Sequence, residues 1–224
     1  MGGEFVTPYF TFLDRVPKLK GFLFDWDGVF NSGIKSENFS SPFSEADSMG
    51  VNMLRFSHWL RYGEIPFTAI ITGLNNQEAR TLATREHFSV VYSNVKFKQE
   101  ALNHIETTFK LSPKELAFTF DDILDFSVAE NTLLRFMIRR NASPLTTDYA
   151  RRNNLADYIS SQEGGRHAVR EICELVMSVC GNVDDTYKKR TVFYGDYENY
   201  IKQRNNIHTI FYSLHATDTP KDPT

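Results

Sequence analysis

The stretch Gly21-Phe22-Leu23-Phe24-Asp25-Trp26-Asp27-Gly28-Val29-Phe30-Asn31-Ser32-Gly33 decides how the rest of the chain is read. An apolar run, Phe22-Leu23-Phe24, stops abruptly at Asp25 and Asp27 with Gly28 behind them. That is the pattern of a buried strand delivering two carboxylates to its own C-terminal tip. In open α/β sheets ligands bind at that tip. Two carboxylates so close repel unless a proton or a cation sits between them. A hard divalent cation such as Mg²⁺ takes oxygen ligands and leaves room for a substrate phosphate. A surface turn uses the same residue types, so the other strand ends have to arbitrate.

Working outward, Pro66 to Ile71 is a short strand-like run that ends in Thr72-Gly73 before a helix predicted over Asn76 to His87. A hydroxyl and backbone N–H groups at a helix start suit an anion, although Thr72 also fits a plain helix cap. Val90 to Tyr92 reads as the next strand, followed by Lys96 and Lys98 before a helix from Gln99 to Phe109. An ammonium there is able to neutralise phosphate, and it is equally able to be an idle solvated charge. Leu116 to Phe120 ends in Asp121-Asp122-Ile-Leu-Asp125, three carboxylates within five residues, which are expensive to gather without a cation.

Phe136 to Ile138 reads as a further strand, Asp157 to Ser160 as an edge strand, and Gly164-Gly165 opens a helix from Ala168 to Cys180. Residues 1–18 are an aromatic lead-in, 31–44 a loop beside the first strand, and Val51 to Leu60 an apolar helical face ending at Gly63. The expectation is a doubly wound, mostly parallel α/β sheet, Rossmann-like, over residues 1–181, with 182–224 as a C-terminal extension rather than an independent domain. Right-handed crossovers would bring Asp25, Thr72, Lys98 and Asp121 to one edge.

At 224 residues the chain holds one sizeable core, and its 41% hydrophobic and 24% charged content is that of a globular protein. A formal charge of -3 gives no overall attraction to nucleic acid or acidic membranes. The two cysteines, Cys173 and Cys180, lie about 10 Å apart along one predicted helix, too far for a disulfide, as expected of a reducing, cytoplasmic compartment. No apolar run approaches the ~20 residues of a membrane span.

Asp25-Trp-Asp-Gly-Val-Phe, Ile70-Ile-Thr-Gly, Lys98 and Asp121-Asp-Ile-Leu-Asp125 resemble, in order, the four motifs of the haloacid dehalogenase (HAD) phosphohydrolase superfamily. Together with Asp47-Ser-Met-Gly and Gly164-Gly-Arg-His-Ala-Val-Arg-Glu171, they look most like the sugar-acid phosphatase branch typified by 3-deoxy-D-manno-octulosonate (KDO) 8-phosphate phosphatases. The resemblance covers roughly residues 18 to 181 and implies a HAD-like fold. It implies Asp25 as nucleophile and Asp27 as general acid/base, with Thr72, Gly73 and Lys98 on the phosphate. Mg²⁺ would be held by Asp25, the main-chain oxygen of Asp27, and Asp121. Asp125 would support the metal shell or Lys98, and Asp122 would be an outer partner or a cap.

Arg170 would reach substrate or a neighbouring subunit, and the assembly implied is a homotetramer. Only 44 residues lie between Asp27 and Thr72, so no separate cap domain fits. The chain departs from the resembled pattern at Leu74, where an Arg is usual, at Phe120, which would crowd the metal loop, and at His167. A weakened relative that binds a phosphorylated ligand, using the aromatic extension for contacts, is the alternative. A phosphorelay receiver fits less well, because here the second acidic cluster follows both Thr72 and Lys98. The scattered histidines, His58, His87 and His104 among them, read as packing or surface groups.

Overall fold

Alternation of buried strands with helices runs through residues 2–35 and 42–213, the part of the chain that the computed structural model describes. In order these are β1 (Glu4–Phe5), α1 (Tyr9–Arg15), β2 (Gly21–Phe24), α2 (Glu45–Tyr62), β3 (Phe67–Ile71), α3 (Gln77–Glu86), β4 (Val90–Ser93) and α4 (Gln99–Phe109). There follow β5 (Leu116–Phe120), α5 (Phe126–Ala129), β6 (Leu134–Arg139), α6 (Pro144–Arg152), β7 (Tyr158–Glu163), α7 (Ala168–Cys180), α8 (Val183–Val192), α9 (Asp196–Arg204) and β8 (Ile210–Ser213).

Helix ends follow local chemistry. Ser44 caps α2 by accepting the Asp47 N–H at 3.0 Å, and Gly63 ends it in the left-handed region (φ +76°) while its N–H bonds Trp59 O.

The strands form one sheet in the order β1-β7-β6-β5-β2-β3-β4-β8, parallel throughout except that β1 runs antiparallel to β7. Every residue of β2 is buried, as a strand covered on both faces requires. Phe22 and Phe24 enter the core shared with α1, α2 and α7, whereas Leu23 enters the opposite core with α4, α5 and α6. Each such side chain removed from water contributes about 1.5–3 kcal/mol.

From β2 the chain builds β3 and β4 on one side, then crosses to lay β5, β6 and β7 on the other. The β2/β5 boundary is therefore the point where winding reverses, and a crevice opens at the strand tips there.

One expectation about the periphery needs correction, and another gains detail. The strand over Tyr158–Glu163 is internal, because the lead-in supplies β1 as the edge. The segment after Gly181 is partly core: Tyr197 donates to Asn52 Oδ1 at 3.0 Å, Tyr200 is fully buried against Phe56, and β8 adds a parallel strand to β4. The middle of the 31–44 loop and the Pro-rich end after 213 lie outside the described residues. Cys173 and Cys180 are buried free thiols, and no described helix is long and apolar enough to cross a membrane.

Candidate active site

Parallel pairing of β2 with β5, Phe24 opposite Thr119, places Asp25 and Asp121 side by side at the crevice. The Asp25 N–H continues the ladder to Thr119 O at 2.9 Å, so the first carboxylate is still on rigid backbone. A short turn capped by Asp122 brings Asp125 back beneath them. Oxygens of Asp25, Asp121 and Asp125 lie within 4.8 Å of one another, and all three residues are buried. Lys98, at the start of α4, lies between two of them, with Nζ 2.5 Å from Asp25 Oδ1 and 2.5 Å from Asp125 Oδ1.

Thr72, at the tip of β3, is buried, and its Oγ1 accepts from Asn76 Nδ2 at 2.8 Å. Asn76 Nδ2 also reaches Asp27 Oδ2 at 3.2 Å, and Lys35 Nζ lies 3.1 Å from the same oxygen. Asp25, Asp27, Lys35, Gly73, Lys98, Asp121 and Asp125 line a cavity of about 220 Å³.

The cluster is short of positive charge. Burial, then the neighbouring Asp25 charge, raises the Asp121 carboxyl to about 8. The same two causes, partly offset by Lys98, raise Asp125 to about 7. Burial also works against the Lys98 charge, but Asp25 and Asp125 outweigh it and hold the ammonium above its ordinary range. Asp121 Oδ2 and Asp27 Oδ1 are buried and accept no hydrogen bond among the described residues. Arg140 Nη1 is 3.1 Å from that Asp121 oxygen, an ion pair without hydrogen-bond alignment. Hard oxygen donors in negative excess, with an orphaned buried oxygen, are what a divalent cation such as Mg²⁺ fits.

No family model matches the chain. It is 25% identical to the 3-deoxy-D-manno-octulosonate 8-phosphate phosphatase of Escherichia coli (strain K12) over 175 residues, 76% of this chain and 86% of that one. Its fold matches a HAD superfamily (subfamily III A) hydrolase from Legionella pneumophila, with TM-score 0.67 and 24% identity over 81% of this chain and 94% of the other. It also matches the 3-deoxy-D-manno-octulosonate 8-phosphate phosphatase of Moraxella catarrhalis, solved with magnesium, phosphate and KDO, with TM-score 0.68 and 22% identity over 81% and 99%. The chain is thus similar in sequence to KDO 8-phosphate phosphatases and shares the HAD-like fold.

Within that HAD-like frame, the two stretches that carry the finer resemblance acquire physical reasons. Gly164 has no Cβ because one would lie 2.0 Å from Gly28 O and 2.5 Å from Asn31 O, so the Gly-Gly turn lies directly against the loop leaving Asp27. Glu171 accepts from Ser161 N, Ser161 Oγ and the Tyr158 hydroxyl, fixing the end of β7 under that turn. Asp47 accepts the Arg170 N–H at 2.9 Å, capping α7 from α2, and Gly50 lets the two helices close, since a Cβ there would sit 3.0 Å from Arg170 Cα.

Asp25, Asp27, Thr72, Gly73, Lys98, Asp121, Asp122 and Asp125 all come to the one crevice. Arg170, expected on substrate, does not: its Nε is bonded to Glu174 at 2.7 Å one turn along α7, and it is not part of the cavity wall. Phe120, expected to crowd the metal loop, points into the core and stacks on Phe118. His167 takes the left-handed conformation (φ +68°) and lies with Nδ1 3.1 Å from Ser44 Oγ, while Leu74 is exposed at the rim. Asn76, Lys35 and Arg140 are site residues that sequence reading missed. Asn76 alone had a local signal, four residues after Thr72 at a helix start.

Proposed function

We propose that the chain is a Mg²⁺-dependent phosphatase hydrolysing a phosphate monoester of a sugar or sugar acid, KDO 8-phosphate-like, through an aspartyl-phosphate on Asp25. The observation that carries the reading is the convergence of Asp25, Asp121 and Asp125 oxygens within 4.8 Å, with Lys98 wedged between Asp25 and Asp125. Asp25, Asp121 and the main-chain oxygen of Asp27 would hold Mg²⁺, with Asp125 in its shell, and the ion would supply charge neutralisation for the phosphate.

Asp25 attacks phosphorus in line, forming the acyl-phosphate bond as the ester P–O bond breaks. Asp27 gives its proton to the departing oxygen, then accepts one from the water that hydrolyses the intermediate. The Asn76 amide and the Lys35 ammonium hold the Asp27 carboxyl at one place beside the nucleophile. Thr72 Oγ1, Gly73 N–H and Lys98 provide donors for the phosphoryl oxygens as charge develops.

The cavity has no covering domain among the described residues, and a closed site excludes water best. A homotetramer whose neighbours cover the mouth, working in the cytoplasm, completes this reading. The test is a phosphate-release screen over sugar phosphates with Mg²⁺, comparing the native chain with Asp25→Asn. Release by the native chain alone is expected, and equal release by both removes the nucleophile. Phosphosugar binding without turnover by the native chain would instead mark a weakened relative.

A further inference from the structure

Arg140 follows the last residue of β6 and forms part of two cavity walls at once. One is the carboxylate cavity, and the other is a neighbouring space of about 190 Å³ bounded also by Arg139, Asn141, Thr147 and Arg151. One corner of its guanidinium is committed: Nη1 donates to Asp122 Oδ2 at 3.2 Å and lies 3.1 Å from Asp121 Oδ2. Among the described residues Nε and Nη2 meet no hydrogen-bond acceptor. Nη2 runs past Gly33, where a Cβ would stand 2.7 Å away, so the missing side chain makes room for it.

The geometry points to Arg140 as a specificity-determining residue that receives a second acidic group, carboxylate or phosphoryl, on the leaving portion of the substrate; this rests on the phosphatase reading above. A guanidinium offers its free edge as paired, coplanar donors, the match for two oxygens of such a group. Anchoring on Asp121 and Asp122 holds its plane in advance, so less rotamer freedom is lost when the ligand arrives. The other cations of the carboxylate cavity are spent or loosely held. Lys98 sits between Asp25 and Asp125, Lys35 is on Asp27, and Lys96 is an exposed point charge.

In the second cavity Arg139 gives Nε to Ser160 O, and Arg151 pairs with Glu4 and Asp148. Those two shape a positive wall on the second cavity alone, and Arg140 is the arginine that also reaches the carboxylate cavity. Asp25, Asp121 and Arg140 line one cavity, with an Asp121 oxygen within 4.8 Å of Asp25 and another 3.1 Å from Arg140 Nη1, so the second acidic group of a small phosphate ester held at Asp25 would lie within reach of this arginine.

The experiment measures kcat/KM with Mg²⁺ for the native chain, Arg140→Gln and Arg140→Lys on three probes: glucose 6-phosphate, 6-phosphogluconate and fructose 1,6-bisphosphate. Loss of a charge-assisted contact predicts a drop of about 10- to 100-fold for Arg140→Gln on the acid-bearing probe that the site prefers. The fall on the neutral probe should be at least about tenfold smaller than on that acid-bearing probe, and Arg140→Lys should recover part of the loss. The larger loss on gluconate or on bisphosphate identifies the acid as carboxylate or phosphoryl.

An equal fall on all three probes means that Arg140 only supports Asp121 and Asp122, and overturns the proposal, as does no change on any. Calorimetric binding of the same probes to Asp25→Asn and to Asp25→Asn with Arg140→Gln reads the preference without turnover. If the native chain releases no phosphate, the phosphatase reading fails, while a preference for the acidic probe that disappears with Arg140 still supports the assignment of this residue.

Discussion

Replacing Gly28 by alanine tests the metal cradle at its tightest point. Gly28 has φ +86°, and a Cβ on it would lie 2.0 Å from Asp121 Oδ2 and 2.5 Å from Asp121 Cγ. Restoring an ordinary 3.4 Å contact means that the carboxylate retreats by about 1.4 Å. It has little room to do so, being 3% exposed with Arg140 beyond it. The left-handed backbone adds about 1–2 kcal/mol for any side chain, or a fall of roughly 2–8 °C in Tm for a chain of this size.

Displacing one ligand through a lost support weakens metal binding by roughly 10- to 100-fold, and an error of about 1 Å at the reacting centre costs on the order of 100-fold in rate. Mg²⁺ at about 100 times its Kd should stabilise the native chain by ~2.7 kcal/mol, a rise of roughly 5–11 °C. Gly28→Ala should lose most of that rise. Gly63→Ala is the control, because φ is again positive (+76°) while nothing lies within 4 Å of its Cβ. It should lose the same backbone stability yet keep the full response to Mg²⁺. Calorimetric Mg²⁺ titration and thermal unfolding of the three proteins decide the matter. Equal Mg²⁺ affinity in Gly28→Ala and Gly63→Ala would refute the role assigned to Asp121.

The remaining expectations follow from the same crevice and from the core behind it. Asp121 and Asp125, raised to about 8 and about 7 from 3.8, bind more protons folded than unfolded. Metal-free stability should therefore fall as pH rises from about 4 to about 8. Urea unfolding in a chelator should show that slope, excess Mg²⁺ should flatten it, and a slope unchanged in Asp121→Asn would count against it. Lys98→Met leaves Asp25 and Asp125 buried without their counter-ion, so the metal-free protein should lose about 3–5 kcal/mol; an unchanged urea midpoint would show that the ammonium is not holding the pair. Tyr200→Ala removes a fully buried ring lodged against Phe56 and Trp59. It should cost about 3–5 kcal/mol, whereas a change below about 1 kcal/mol would mean that the C-terminal helices are dispensable to the core.

What was legible in the sequence is what is expensive to bury. Asp25 after Phe22-Leu23-Phe24, and Asp121 after Leu116 to Phe120, announce themselves because a carboxylate at the end of an apolar strand needs a compensating charge. The spacing of helices between those strands then determines the side of the sheet each occupies, and Lys98 and Thr72 arrive with it. Arg140 carries as much charge, yet it follows a run, Leu134–Arg139, whose own arginines already look like surface positions. Its role depends on Gly33, far away in sequence, which leaves space for Nη2.

Arg170 shows the opposite error, since Glu174 stood one helical turn on and a local ion pair was the cheaper reading. Tyr197 and Tyr200 have no apolar periodicity around them, and their burial rests on an Asn52 partner in α2 that only the folded chain supplies. Gly28 and Gly164 are the limiting case. Their contribution is an absent atom on each side of one backbone contact, under the carboxylate that most needs a cation. A missing Cβ has no charge, no polarity and no period, so nothing in the chain marks it until the two loops are brought together. The acidic residues of this site are therefore readable one segment at a time, while the glycines and the arginine beside them are properties of pairs of segments.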